Sequence, residues 1–381
     1  MTDPDPPAPR ARLRDLAWVF LRLGATAFGG PAAHVALMEA EVVGRRRWLT
    51  RAQFLDLLGA ANLIPGPNST ELAIHVGREQ GGWRGLVIAG TCFIAPAMLI
   101  VMALGWAYTR WGARPEAAAL MSGVKPVIIA VVVQAIWGLG RTALKTRWLG
   151  VLAALATAAV ALGVHELAVL AGAGAAAALA RTGGRRGVAG FVPLVPLGPA
   201  AAATAAAPFG LGPLFLFFLK VGAVLYGSGY VLIAFLRADL VHRYHWLTEG
   251  QLLDAVAVGQ VTPGPVFTTA TFIGYLLGGP TAALVATVGI FLPAFVFVAA
   301  SGPLIPRLRR SPTAGAFLDG VNVASLALMA VVVVQLGRDA VVDLPAAGLA
   351  IASAVLLLRF RVSATWLVLG GAAIGLARAL A

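Results

Sequence analysis

Polar positions along this chain are confined to short stretches between long apolar runs. The runs lie near residues 85–108, 118–140, 148–164, 166–180, 281–303, 316–337, 345–358 and 363–380. They approach the ~20 residues a helix needs to cross a bilayer. Ahead of them, in each half of the chain, the pattern differs. Residues 16–30 and 215–229 are apolar, but each stretch carries a basic residue and ends in glycines. Residues 32–50, with Glu39, Glu41 and an arginine cluster, predict an amphipathic interfacial helix. Residues 52–64 and 68–80 predict two short helices that meet at Pro65-Gly66-Pro67. Proline lacks the backbone N–H and glycine is entropically costly, so the triplet interrupts the helix. In an apolar chain such a break must face protein or a watery cavity. A re-entrant helical hairpin is the expected form.

The same pattern occurs twice. At an offset of 198, Gly24 falls on Gly222, Trp48-Leu49-Thr50 on Trp246-Leu247-Thr248, Gln53 on Gln251, Asp56 on Asp254, and Pro65-Gly66-Pro67 on Pro263-Gly264-Pro265. One residue then drops out, and an offset of 197 pairs Gly77 with Gly274, Pro96 with Pro293, Gly123 with Gly320 and Arg141 with Arg338. The reading is a tail over 1–15, a first repeat over 16–182, a connecting segment over 183–212 and a second repeat over 213–381.

Composition narrows the class. Only 12% of the 381 residues are charged and 59% are hydrophobic, against about 25% charged in soluble domains. This predicts an all-α polytopic membrane protein, embedded in a lipid bilayer. The prolines and acidic residues of 1–9 do not resemble a signal peptide. Cys92, the single cysteine, excludes an internal disulfide and reads as a small core residue. The net charge of +13 sits in short loops, which marks topology and not nucleic-acid binding. Arg45, Arg46, Arg47 and Arg51, then Arg141, Lys145 and Arg147, then Arg181, Arg185 and Arg186 are enriched over their second-half counterparts. The complementary loops reverse the bias, with Arg307, Arg309, Arg310, Arg359 and Arg361 in the second half. This alternation predicts halves of inverted topology, with the enriched loops cytoplasmic, and makes residues 187–212 cross the membrane.

The candidate chemistry gathers at the two breaks. Pro67 and Pro265 suit the first position of a helix, leaving the N–H groups of Asn68, Ser69 and Thr70, and of Val266, Phe267 and Thr268, as unbonded donors. Such an end attracts anions; the plain alternative is a kink or tight turn. Arg22 and Lys220, at matching positions within apolar stretches, suit a divalent anion, with snorkelling to the interface as the alternative. The substrate-binding set is therefore Arg22, Lys220, Pro65, Gly66, Pro67, Asn68, Ser69, Thr70, Pro263, Gly264, Pro265, Thr268 and Thr269. Gln53 and Gln251 are candidates for orienting the breaks. Lys125, answered by Asn322, is a further intramembrane cation. Glu71, His75 and Glu79 share one helix face: an exposed polar face is the plain account, with a proton role for Glu71 or His75 as the alternative. No metal site or cofactor is predicted, and no nucleophile elbow, P-loop or zincin motif marks an enzyme.

With Phe28-Gly29-Gly30-Pro31, Trp48-Leu49, Gln53, Pro65-Gly66-Pro67 and their second-half equivalents, nearly the whole chain resembles the chromate ion transporter family in its long, two-half form. The resemblance implies chromate export across a bacterial cytoplasmic membrane, with sulfate as a similar anion. Ser228-Gly229 departs from the Gly30-Pro31 pattern, so unequal half-sites are expected. The competing readings are a sulfate or other anion importer or antiporter, and a non-transporting receptor or scaffold. A homodimer stays open.

Overall fold

The computed structural model describes residues 11–28, 30–182, 208–226, 229–301 and 311–380. Gly29, Ser228, Arg185, Arg186, Arg307, Arg309, Arg310 and most of the connecting segment lie outside the described residues.

Among the described residues every regular element is helical. The first half contains α1 (Leu13–Thr26), α2 (Gly30–Glu39), α3 (Arg51–Ala61), α4 (Asn68–Trp111), α5 (Pro115–Ala143), α6 (Arg147–Ala161) and α7 (Glu166–Thr182). The second repeats it with α8 (Leu211–Val224), α9 (Leu232–Leu236), α10 (Glu249–Val261), α11 (Thr269–Ser301), α12 (Pro312–Ala340), α13 (Leu344–Arg359) and α14 (Ala364–Leu380). Four segments, Asn68–Trp111, Pro115–Ala143, Val266–Ser301 and Pro312–Ala340, are long and apolar enough to cross a membrane. The chain is a polytopic membrane protein of two homologous halves.

Neither α4 nor α11 is a straight rod. Gly82 and Gly279 take φ of 58° and 68°, left-handed values that suit glycine. A β-carbon on Gly77 would strike the Gly85 carbonyl, and one on Gly274 the Ala282 carbonyl. Residues eight apart in a continuous helix are about 12 Å apart, so residues 68–81 fold back on the long arm that follows. The sequence marks a change of character here but not this reversal.

Over residues 32–50 the chain forms α2, which runs on without a break into a π-helical stretch, Ala40–Arg45; Met38 of α2 and Glu41 and Val42 of that stretch are buried. Glu41 accepts a hydrogen bond from Arg22. Gln53 and Gln251 depart from expectation. Each completes a capping box, with Thr50 at the start of α3 and Thr248 at the start of α10. They cap the helix end remote from the breaks, a T-x-x-Q signature legible in the sequence.

The halves exchange contacts. A β-carbon on Gly140 would lie 3.7 Å from Leu326, and one on Gly337 3.9 Å from Ile129. As α5 runs from 129 to 140, its partner positions on α12 run from 337 back to 326, so these homologous helices are antiparallel. Each half's last helix packs on the other half: Gly123 of α5 meets the Gly371 carbonyl of α14, and Gly320 of α12 meets the Ala173 carbonyl of α7. Contacts made twice with roles reversed are the mark of a two-fold relation.

Candidate functional site

Each triplet is tied to the opposite half. Gly66 takes φ +138° and Gly264 φ +87°, which strains any residue with a β-carbon. The Gly66 N–H donates to the Leu225 carbonyl (2.8 Å), and the Gly264 N–H to the Ala27 carbonyl (2.9 Å). Ala27 and Leu225 follow α1 and α8 at equivalent positions, so this is one contact made twice about the pseudo-two-fold.

Between the triplets lies a cavity of about 80 Å³. Pro31, Pro67, Asn68 and Ser69 form one wall, and their counterparts Gly229, Pro265, Val266 and Phe267 the other. Pro67 and Pro265 stand just before the first turn, one position earlier than predicted. Two of the six expected donors are also used: the Thr70 N–H bonds the Pro67 carbonyl (2.7 Å) and the Thr268 N–H the Pro265 carbonyl (3.0 Å). Among the described residues, the N–H groups of Asn68, Ser69, Val266 and Phe267 remain as first-turn donors at the cavity wall. Two helix N-termini, each worth about half a positive charge, thus face one small space.

The side chains are not equivalent. Thr268 and Thr269 donate to the Pro265 and Val266 carbonyls, each at 2.8 Å, and close their own turn. Asn68 instead donates to Asn62 (2.7 Å). Ser69 meets His34 of α2, which is 1% exposed: Nδ1 lies 3.3 Å from the Ser69 hydroxyl and Nε2 3.1 Å from the Ala27 carbonyl. Because a carbonyl only accepts, Nε2 carries the hydrogen, and in a neutral ring Ser69 donates to Nδ1. His34 therefore joins the first turn of α4 to the carbonyl that receives the other half's triplet. Its counterpart in the second half is Leu232, so the two halves differ here.

Glu71 and His75 are buried, at 0% and 6% exposure, while Glu79 is exposed. The expected exposed polar face is thus corrected: the reversal at Gly82 packs the arm inside the bundle and leaves only its far end outside. Arg22 and Lys220 each have a carboxylate partner within their own half. Arg22 bonds the buried Glu41, which Arg46 also holds at 2.8 Å, and Lys220 bonds the buried Asp239. Burial alone would raise the Glu41 carboxyl; the hydrogen bonds from Arg46 and Arg22 outweigh it and hold it below the usual carboxylate range. Glu41 and Asp239 lie 198 residues apart and are both acidic. The duplication thus carries the acidic pair in the sequence, although not what either carboxylate touches.

Two larger cavities flank the antiparallel helices. One, of about 320 Å³, is lined by Asn62, Asn68, Thr142, Lys145, Asp319 and Asn322, with Lys145 and Asp319 paired at 2.7 Å. The other, of about 620 Å³, is lined by Tyr108, Ser122, Lys125, Asp254, Asp339 and Val342. They are repeat mates, because Ser122, Lys125, Asp339 and Val342 correspond to Asp319, Asn322, Thr142 and Lys145. They lie at opposite ends of the α5–α12 pair. Lys125 lies 3.3 Å from Asp254, which also accepts from Tyr108 (2.7 Å). Asn68 borders both the 320 Å³ vestibule and the central cavity.

The comparisons with known proteins agree with this duplicated architecture. A family model described as chromate transporter matches the chain twice, over residues 14–179 and 212–376. The chromate transport protein of Cupriavidus metallidurans is 34% identical over 394 residues, covering 99% of this chain and 98% of that protein. The probable chromate transport protein of Synechococcus elongatus is 34% identical over 344 residues, covering 88% of each. The chromate transport protein of Pseudomonas aeruginosa is 34% identical over 334 residues, covering 84% of this chain and 80% of that protein. No solved structure matches. The chain belongs to the chromate transporter family, whose members are transport proteins and not enzymes.

Proposed function

We propose that this protein exports chromate, a tetrahedral dianion, from the cytoplasm across a bacterial inner membrane, driven by the membrane potential. The observation that carries this reading is the pair of first turns opposed across one cavity. About 80 Å³, where about 10 to 15 Å³ of such space holds one water, suits a small oxyanion. Two helix ends supply roughly one positive charge in sum against a charge of two on the ligand. Such binding is favourable enough to enter and weak enough to leave.

Antiparallel α5 and α12 support a two-fold axis in the membrane plane, with the halves inverted. The basic loops orient the pair. Arg141, Lys145 and Arg147 mark the cytoplasmic end, so the vestibule of Lys145 and Asn322 is the entrance and that of Lys125 and Asp254 the exit. The exit holds two carboxylates, Asp254 and Asp339, against one lysine, a balance that favours release of an anion. Arg22 and Lys220 act here through Glu41 and Asp239, fixing α1 and α8 behind the triplets.

One charge moved through 100 mV is worth about 2.3 kcal/mol, so a dianion leaving a negative interior gains roughly 4 to 5 kcal/mol. Uptake would be opposed by the same amount and would need a coupled ion. Sulfate has the same charge and shape and is expected to compete. The test is radiolabelled chromate uptake into inside-out vesicles, whose lumen corresponds to the cell exterior. Accumulation that excess sulfate reduces is expected. Loss of chromate from preloaded inside-out vesicles, with no accumulation, would point to an importer.

A further inference from the structure

Glu71 stands in the first turn of α4, fully buried, and neither carboxylate oxygen has a hydrogen-bond partner among the described residues. The hydroxyl of Thr70 beside it is buried and unpartnered as well. Glu71 fills the space that a side chain at Gly66 would take, since a β-carbon there would run into Oε1. An acidic group thus sits behind the triplet, against Gly66, which lines the central cavity.

A lone ionised carboxylate in such a place is too costly to persist without a proton or a counter-charge. The cations of the surrounding elements are committed elsewhere. Arg22 on α1 bonds Glu41, Lys220 on α8 bonds Asp239, Lys125 on α5 pairs with Asp254 on α10, and Arg78 on α4 bonds the Val298 and Ala299 carbonyls of α11. Asp56 on α3 has a partner of its own. The remaining titratable neighbours are His34 on α2, His75 one turn along α4, and Tyr226 after α8, which interacts electrostatically with Glu71. None is a fixed cation. Glu71 and Thr70 alone also fall short of the oxygen cage a metal cation takes, and no group of three metal-binding side chains gathers among the described residues.

An ionised Glu71 would cancel the half charge at the start of α4, the same charge the oxyanion needs. A proton on Glu71 removes that competition. We propose that Glu71 binds one proton together with the oxyanion and that the two cross as a unit, so that each dianion moves with one proton. This rests on the reading of the chain as an oxyanion transporter. The proton is taken from water on one side and returned to water on the other, so one net negative charge leaves with each cycle: 100 mV then supplies about 2.3 kcal/mol in place of the dianion's 4 to 5, against about 1.4 kcal/mol for each pH unit by which the interior is more alkaline.

The test uses the full-length protein in proteoliposomes, with voltage held at zero by equal potassium and valinomycin. Both sides are alkaline, so that radiolabelled chromate stays a dianion, and a pH gradient is imposed. Wild-type protein is expected to accumulate chromate on the more alkaline side. One proton per anion gives about a tenfold ratio per pH unit, a unit being worth about 1.4 kcal/mol. Glu71→Gln is expected to lose this accumulation while retaining some movement under an imposed voltage. No pH-driven accumulation by wild type, accumulation on the acidic side, or accumulation driven by a sodium gradient would each overturn the proposal, whether or not the variant folds. A Glu71→Gln protein that still accumulates chromate would remove the assignment to this residue. If that variant moves nothing under either force, Glu71→Asp, which keeps the carboxyl, must show pH-driven accumulation; voltage-driven movement alone would overturn the assignment. Failure of wild type under voltage would strike the transport reading itself and not the coupling.

Discussion

Gly264→Ala is expected to cut chromate uptake more than tenfold. Its φ of +87° costs a residue with a β-carbon about 1 to 2 kcal/mol. The new methyl would also lie 2.7 Å from the Ala97 β-carbon and 2.9 Å from the Gly24 carbonyl, an overpacking worth about 1 to 3 kcal/mol. The Gly24 oxygen belongs to backbone and cannot rotate away. Relief must come from the triplet, which carries the hydrogen bond to Ala27 and one wall of the cavity. A sum near 3 kcal/mol exceeds the 1.4 kcal/mol that corresponds to a factor of ten. Gly279→Ala is the control: its φ is +68°, but no atom lies within 4 Å of the added carbon, so only the strain remains. Uptake per unit of correctly eluting protein compares the two. Equal activities would show that the packing at the triplet is dispensable.

Lys220→Ala should be the most destabilising of the charge removals. It strands Asp239, which is 5% exposed, with Arg243 at 3.7 Å as the nearest remaining ion pair given by the geometry. Breaking a buried pair from one side costs about 3 to 5 kcal/mol. Arg22→Ala is expected to cost less, because Glu41 keeps Arg46 at 2.8 Å and Arg45 at 3.7 Å. Removing Asp239 together with Lys220 should recover part of the loss, since no uncompensated charge is left. Thermal unfolding of the purified variants gives the order, and chromate resistance of cells expressing them gives the functional consequence. Unchanged resistance in both single variants would favour a receptor or scaffold.

Much of this architecture can be read from the sequence because a duplication reports on itself. The offset of 198 aligns both breaks, both basic residues and both capping boxes, and the apolar runs place the long helices. What stays hidden is what the chain does after a turn. The reversal at Gly82 decides that Glu71 and His75 are inside, although their four-residue spacing is equally that of a solvated face. The carboxylates that neutralise Arg22 and Lys220 arrive from 19 residues away through tertiary packing, which periodicity does not encode. His34 is invisible for a different reason: a leucine, Leu232, stands at its place in the second half, so the duplication does not mark it. The cavity shared by the triplets needs both halves placed together, and composition alone indicates only that each break requires polar company.

Chromate movement under an imposed voltage without a pH gradient tests the central claim most directly. In inside-out vesicles clamped lumen-positive at equal pH, accumulation of radiolabelled chromate is expected to rise steeply with voltage and to reverse when the lumen is made negative. Accumulation that ignores the sign and size of the voltage would contradict a transporter that moves net negative charge through the cavity between Pro65-Gly66-Pro67 and Pro263-Gly264-Pro265.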